Sequence, residues 1–519
     1  MVALCVVAAP AAQAAPTPSQ LCERNNNTYQ ALLRCVQVDN VRRHQAAFQA
    51  IADRNNDQYY PGTRAAGTLG YRASAAYVAG LLQRAGYTVR LDPFQFQFNF
   101  PVVLEQLTPS PPGPVEYESG AFTGSGAGEV TGPVIPVDIN LEGDRASTSG
   151  CEDSDFAGLD FSGDNDIALI QRGTCTFADK ALNAEEAGAE AVIIFNQGND
   201  ATRMDLIVGT LEPTVVTIPV VGASFEQGVA LAQPGSTAHI LVIPSETRTD
   251  VNVIAEKEGK LNPDNVVMSG AHLDSVTEGP GIQDNGSGSA ALLETALQMS
   301  RVNPPNTMRF AWWGAEELGL IGSTAYVEGL PQAQLDKIAM YMNYDMVGSP
   351  NYIFMVYDAD ESTFEAPVVV PPGSESIEDV YESYYTREGE PYDDSEFSGR
   401  SDYQAFIEAG IPSGGLFTGA EQVKTEEQEM IWGGTAGQQF DPCYHLACDD
   451  YDNVDLHALD VNSDLIAYAQ LTFAYSTESV NGVPGASVPF SQPLPPPAGP
   501  EGTFAVSPTG GQGPGPVGS

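Results

Sequence analysis

The apolar positions of the chain change their period twice. From Val41, the stretches RRHQAAFQAIADRN and YRASAAYVAGLLQRAGYTV place apolar residues at helical spacing, so two helices are predicted, the second closed by Gly86. TVRLDPFQFQFNF then alternates as a half-buried strand does. Between Pro109 and Gly128 the chain turns to Pro, Gly and Ser, and up to about Ser245 it carries short Val/Ile runs, many glycines and one helical pattern near 177–188. After Thr249 the apolar runs become short and unalternating: NVVMSGAHLDS, TMRFAWWGAEE, KIAMYMNYDMVG and GIPSGGLFTG. Runs of this kind suit strands covered on both faces, as in a parallel sheet flanked by helices such as 289–301.

The expected organisation is therefore a discontinuous α/β domain over 37–112 and 246–482, with a mixed, mostly parallel central sheet, interrupted by a β-rich α+β insert over 113–245. A length of 519 residues fits two cores better than one. The Pro/Gly-rich segment 489–519 has too few large apolar residues to pack and is expected to be disordered.

The first residues change the picture of where the chain works. MVALCVVAAPAAQAAP is a short apolar stretch ending in Ala-Gln-Ala, so 1–14 reads as a secretory signal without its basic leader, too short to span a bilayer. Its removal takes Cys5 and leaves Cys22/Cys35, Cys151/Cys175 and Cys443/Cys448, which fits three disulfides in an oxidising, extracellular setting. Fifteen pairings are possible, of which local pairing is the simplest. Lys and Arg number 22 against 68 Asp and Glu, a net charge of −46 that repels nucleic acid and anionic membranes and is read as a solvated acidic surface.

Three of the four buried-strand candidates run into a metal-ligand residue type: His272, the pair Glu316-Glu317, and Asp345. Strand carboxyl ends are where open α/β sheets bind ligands. Asp284 lies in the glycine-rich turn GPGIQDNGSGS, and His445 in DPCYHLACDD, where Cys443 and Cys448 could brace its loop. Taken singly, each residue is more often structural than ligating. Together they supply the roughly five imidazole and carboxylate ligands that two zinc ions sharing one carboxylate require. Of the other histidines, His44 and His239 lack acidic neighbours in the sequence, and His457 in DNVDLHALD reads as part of an acidic helix start.

HLDS at 272–275, GIQDNGSGSA at 281–290, WWGAEELGLIGS at 312–323 and NYDMVG at 343–348 resemble the motifs of the co-catalytic zinc aminopeptidases, in particular the secreted bacterial leucyl-aminopeptidase type. The resemblance implies the zinc exopeptidase fold, with Asp284 bridging two zincs, His272 and Asp345 completing one site, and Glu317 and His445 the other. DIALIQRGTCTFADKALNAEEAGAEAVIIFNQ at 166–197 resembles the protease-associated domain, where Arg172 belongs to the usual pattern and reads as structural. This insert is expected to be a lid or a substrate-guiding surface, or else a stabilising module with no direct role in chemistry, and its sequence offers no candidate catalytic cluster.

With two metals activating a water, the chain needs a base, and Glu316, beside the ligand Glu317, is the candidate. Asp274, two residues after His272, can orient that ring or cap a turn. By resemblance Tyr444 donates to the oxyanion and Arg400 helps hold a small substrate, although a salt bridge from Arg400 to Asp402 is the competing reading. An acidic pocket favours a protonated α-amino group, so the expected substrates are peptides with a free amino terminus. Leu416 and Phe417 suggest an apolar, leucine-like first residue, unless both face the core. The rivals are a metallocarboxypeptidase, which needs a cation for the α-carboxylate, and a non-catalytic binding ectodomain, which predicts a lost ligand or base. Asp460 and Asp464 are spaced as in the calcium site of some relatives, or as ordinary acids on a helix.

Overall fold

The computed structural model describes residues 22–109 and 113–503. The expected signal segment, Cys5 and residues 504–519 of the expected tail lie outside them. The chain divides into two compact units, Met1–Phe96 with Arg248–Ser519, and Gln97–Thr247.

In the first unit one sheet has eight strands, in the order Thr88–Phe98, Glu246–Lys257, Asn306–Trp313, Asn262–His272, Ile338–Tyr344, Ser413–Phe417, Met355–Tyr357 and Asp393–Ser395. The four strands from Asn306–Trp313 to Ser413–Phe417 are parallel, and antiparallel neighbours join on either side. The expected mixed, mostly parallel sheet is the one observed. The unalternating runs follow from burial on both faces. Phe310, Trp312, Met340 and Met342 enter a core with Phe48, Tyr71, Leu292 and Leu465, which lie on helices Val38–Arg54, Leu69–Ala85, Gly286–Met299 and Leu456–Tyr475. The residues between them, Ala311, Trp313 and Tyr341, enter a second core with Tyr326 and Phe406, because successive side chains of a strand point to opposite faces. Each fully buried Phe, Leu or Met in these cores contributes roughly 1.5–3 kcal/mol of apolar transfer free energy.

The helix ends follow their sequence signals. The Thr68 hydroxyl accepts from the Tyr71 N–H, and Gly86 closes the helix Leu69–Ala85 at φ 94°, a left-handed conformation that costs glycine nothing. Asp455 caps Leu456–Tyr475 by accepting from the N–H groups of His457 and Ala458.

The second unit holds seven strands, in the order Val115–Tyr117, Val103–Thr108, Thr237–Val242, Gly128–Val137, Ile167–Gln171, Ala191–Phe195 and Val220–Ala223. The last four are parallel and the first three pairings antiparallel. Strand Val103–Thr108 therefore belongs to this unit, and the Pro/Gly-rich stretch after it separates two paired strands, Leu104 opposite Tyr117. Helix Phe177–Ala187 opens on a reciprocal cap between Thr176 and Asp179. The disulfides are the local pairs Cys22–Cys35, Cys151–Cys175 and Cys443–Cys448.

Residues 491–503 have no regular structure, yet the backbone N–H groups of Gly502 and Thr503 donate to Asp393 and that of Glu501 to the Tyr392 carbonyl. Backbone hydrogen bonds are blind to side-chain hydrophobicity, which is why composition did not foretell this docking.

Candidate metal centre

Because strands Asn262–His272, Asn306–Trp313 and Ile338–Tyr344 run parallel, their carboxyl ends share one edge, with His272 opposite Trp313 and Gly270 opposite Asn343. His272 ends the first strand, Glu316 and Glu317 follow the second, and Asp345 follows the third. Asp284 is delivered beside them by the start of helix Gly286–Met299. The Asn285 side chain donates to the Tyr344 carbonyl at 2.9 Å and accepts from the N–H groups of Met346 and Gly288. A Cβ at Gly288 would stand 2.3 Å from the Tyr344 carbonyl oxygen, so only glycine lets helix and strand end come this close. His445 arrives on the loop closed by Cys443–Cys448.

The two carboxylate oxygens of Asp284 face different histidines. Oδ1 is 3.2 Å from His272 Nε2, and Oδ2 is 3.3 Å from His445 Nε2. On the first side Asp345 Oδ1 lies 3.2 Å from His272 Nε2, and on the second Glu317 Oε2 lies 3.1 Å from His445 Nε2. Two ligands of one tetrahedral zinc, at about 2.0–2.2 Å from it, stand roughly 3.3–3.5 Å apart. The donors are thus spaced as ligand pairs. Glu317 Oε1 and Asp345 Oδ1 are buried with no hydrogen-bond partner, as oxygens reserved for a cation would be. Imidazole and carboxylate donors in this arrangement fit zinc.

The electrostatics point the same way. Burial lifts the Glu316 carboxyl well above its ordinary range, opposed by His272 and reinforced by Asp345 and Asp402. Burial, then Asp284, pushes Glu317 up to about 7. For His445 burial opposes charge, but the carboxylates of Asp284 and Glu317 raise it to about 11. Protons here balance clustered carboxylates, and a divalent cation would displace them.

Residues that sequence patterns did not single out hold the donors in place. Trp313 Nε1 donates to Tyr341 Oη at 2.8 Å, Tyr341 to Asn343 Oδ1 at 3.0 Å, Asn343 to Ser401 Oγ at 2.8 Å, and Ser401 to Asp345 Oδ2 at 2.6 Å. This relay uses one oxygen of Asp345 and leaves the other to the site. Asp449 accepts from the Gln283 and Asp284 N–H groups at 2.8 and 3.0 Å. Arg64, fully buried, donates to the carbonyls of Leu273, Pro280 and Gly281, holding the loop between His272 and Asp284. Arg64→Ala leaves the buried carbonyls of Leu273 and Pro280 unsatisfied and removes one of two donors from that of Gly281, which also accepts from the Gly286 N–H, so chemical denaturation should show a loss of about 2 kcal/mol or more; a loss under about 1 kcal/mol would contradict this role. Ala315, Met346 and His445 all have positive φ, 55°, 49° and 57°, each next to or at a donor, as expected where surrounding structure holds a functional backbone in a costly conformation.

The remaining expected residues lie as follows. The Asp274 carboxylate is 3.7 Å from His272 Nδ1 and accepts, at 3.3 and 3.4 Å, from the N–H groups of Glu316 and Glu317, while its carbonyl lies 3.2 Å from the ring nitrogen. It therefore touches both the histidine and the turn that carries the two glutamates. Tyr444 stacks on His445 with ring centroids 3.8 Å apart. Arg400 pairs with Glu421 at 2.7 Å and reaches Tyr444 Oη at 3.3 Å, so the expected rival partner Asp402 is not its partner; Asp402 is buried. Leu416 faces the core and Phe417 the pocket. His44 and His239 do have acidic neighbours, Glu294 for the first and Glu105 and Glu129 for the second, contributed by residues distant in sequence. Asp460 and Asp464 lie one turn apart on Leu456–Tyr475, and no group of three metal-ligand side chains among the described residues includes either.

Residues 252–470 match the family model described as peptidase family M28, and residues 130–231 that of the PA domain. An aminopeptidase of Pseudomonas aeruginosa is 47% identical over 457 residues, covering 87% of this chain and 83% of its own. A probable leucine aminopeptidase 2 of Aspergillus fumigatus is 42% identical over 369 residues, 70% of each chain. Among solved structures, a zinc aminopeptidase of Bacillus subtilis superposes with TM-score 0.56 at 27% identity, covering 83% of this chain and 94% of that one.

Proposed function

The chain belongs to peptidase family M28 as a zinc aminopeptidase with a PA domain, and from that membership we propose that it is secreted and removes apolar, leucine-like residues from the free amino end of peptides, using two zinc ions. The observation that carries the two-metal reading is Asp284, which turns one oxygen to each histidine. In this reading His272 and Asp345 complete one site, Glu317 and His445 the other. Zinc held there would acidify a water molecule and polarise the scissile carbonyl.

The chain's own groups do the rest. Glu316 lies with Oε2 4.0 Å from His272 Nε2, buried beside Glu317, a position that suits a base that takes the water's proton and returns it to the leaving nitrogen. The Tyr444 phenol, kept protonated by burial and by Asp284 and Glu317, accepts from Arg400 and so has its own proton to give to the developing oxyanion. Tyr444→Phe should lower turnover by about 10²–10³ with zinc content unchanged; an unaltered turnover would leave the tyrosine as packing only.

The pocket favours the amino end. Its wall carries Asp284, Glu316, Glu317, Asp345 and Glu396, and its one guanidinium, Arg400, is already paired with Glu421. A carboxypeptidase would need a cation at liberty for the substrate's α-carboxylate. Next to Phe417 a side pocket lined by Met355, Phe364 and Phe440 offers an apolar side chain a place. Three disulfides support the extracellular setting. The test is a leucyl chromogenic substrate with its amino group free or acetylated, with and without a zinc chelator. Only the free form should be cleaved, and only without chelator; comparable cleavage of the acetylated form would overturn the reading.

A further inference from the structure

Five acidic side chains outside the zinc centre converge at the edge of the large sheet. Strands Met355–Tyr357 and Asp393–Ser395 pair in parallel, with Val356 opposite Asp394, and Asp358 follows directly on Tyr357. Helix Glu375–Glu388 contributes Glu378 and Glu382, four residues apart and hence on one face. Oxygens of Asp358, Asp360 and Glu378 lie within 4.8 Å of one another, as do those of Glu378, Glu382 and Asp394. Asp358, Glu378, Glu382 and Asp394 are 2, 3, 8 and 1% exposed; only Asp360 reaches solvent.

None of the ion pairs among the described residues involves any of the five. Asp394, though buried, has no hydrogen-bond partner at Oδ1; its other oxygen accepts from Thr363. The remaining hydrogen bonds shape the loop. Asp358 accepts from the N–H groups of Ser362, Thr363 and Phe364, and Glu378 from those of Ala359 and Asp360. Four buried carboxylates with no cationic side chain cannot all ionise in a medium of low dielectric. Either they take up protons, or a cation sits among them.

We propose that Asp358, Asp360, Glu378, Glu382 and Asp394 bind one calcium ion. The donors are all oxygen, which disfavours zinc; their number, with loop carbonyls and water in reserve, suits the six to eight oxygens of calcium rather than the strict octahedron of magnesium. The ion ties loop 358–364 and the sheet edge to helix Glu375–Glu388. Tyr357, Ser395 and Glu396, in the pocket wall, adjoin Asp358 and Asp394, so the ion braces that wall.

The test uses the full zinc-loaded chain stripped of calcium on a chelating resin and re-supplied with zinc. Calcium chloride and, separately, magnesium chloride are titrated by calorimetry, with thermal unfolding at each step. One calcium site stronger than the diffuse background of an acidic surface is expected, with a rise in Tm on saturation. Asp360→Asn, at the exposed rim where folding is not at stake, and Glu382→Gln should each weaken it about tenfold or more without altering zinc content. No saturable calcium site, equal affinity in Asp360→Asn and the parent chain, or tighter binding of magnesium than calcium would each overturn the proposal.

Discussion

Glu316→Gln should keep its full zinc complement and lose turnover by about 10²–10⁴, the cost of removing a general base. The substitution preserves size and most hydrogen bonding, so substrate affinity should move little, and the loss belongs to kcat. Glu317→Gln should behave differently. Its carboxylate faces His445 at 3.1 Å and has a second oxygen with no partner, so the amide weakens one metal site and added zinc should restore part of the activity. Elemental analysis and turnover across a zinc titration separate the two. If Glu316→Gln loses metal and is rescued while Glu317→Gln is fully loaded and inactive, base and ligand are interchanged. If both keep near-normal turnover, the active site is misplaced.

Asp284→Ala should empty both metal sites together and reduce turnover at least as far as Glu316→Gln, on the order of 10³ or more. Its two oxygens each face a different histidine, so no conservative rearrangement serves both. Asp345→Ala should deplete mainly one site, since its oxygen lies beside His272 alone. Equal, independent losses of one metal from each variant would contradict a shared carboxylate.

The mixed, mostly parallel sheet and the residues that gather at its carboxyl edge were legible because the signals are local. Runs such as KIAMYMNY are apolar throughout since both faces of the strand are covered, and the donors follow directly at strand ends. What escaped was carried by pairs far apart in sequence. Arg64 and the carbonyls of Leu273, Pro280 and Gly281 are about two hundred residues apart, and nothing near Arg64 marks it as part of a metal loop. Ser401 meets Asp345, and Arg400 meets Glu421 rather than its near neighbour Asp402, which is buried while the Arg400 side chain is exposed. Asp449 lay in plain view in the ACDD run beside His445, but only the fold brings it under the N–H groups of Gln283 and Asp284. Leu416 and Phe417 were indistinguishable by composition and are separated by the alternation of the strand they share.

If Asp284 couples two zinc ions in one centre, the active protein must hold both, and counting its metal decides the matter. Purified chain, dialysed free of loosely held ions, should contain two zincs at full leucyl turnover by elemental analysis, and stepwise removal should abolish activity. Full turnover with a single zinc per chain, unchanged when a second is supplied, would mean that Asp284 serves one metal alone.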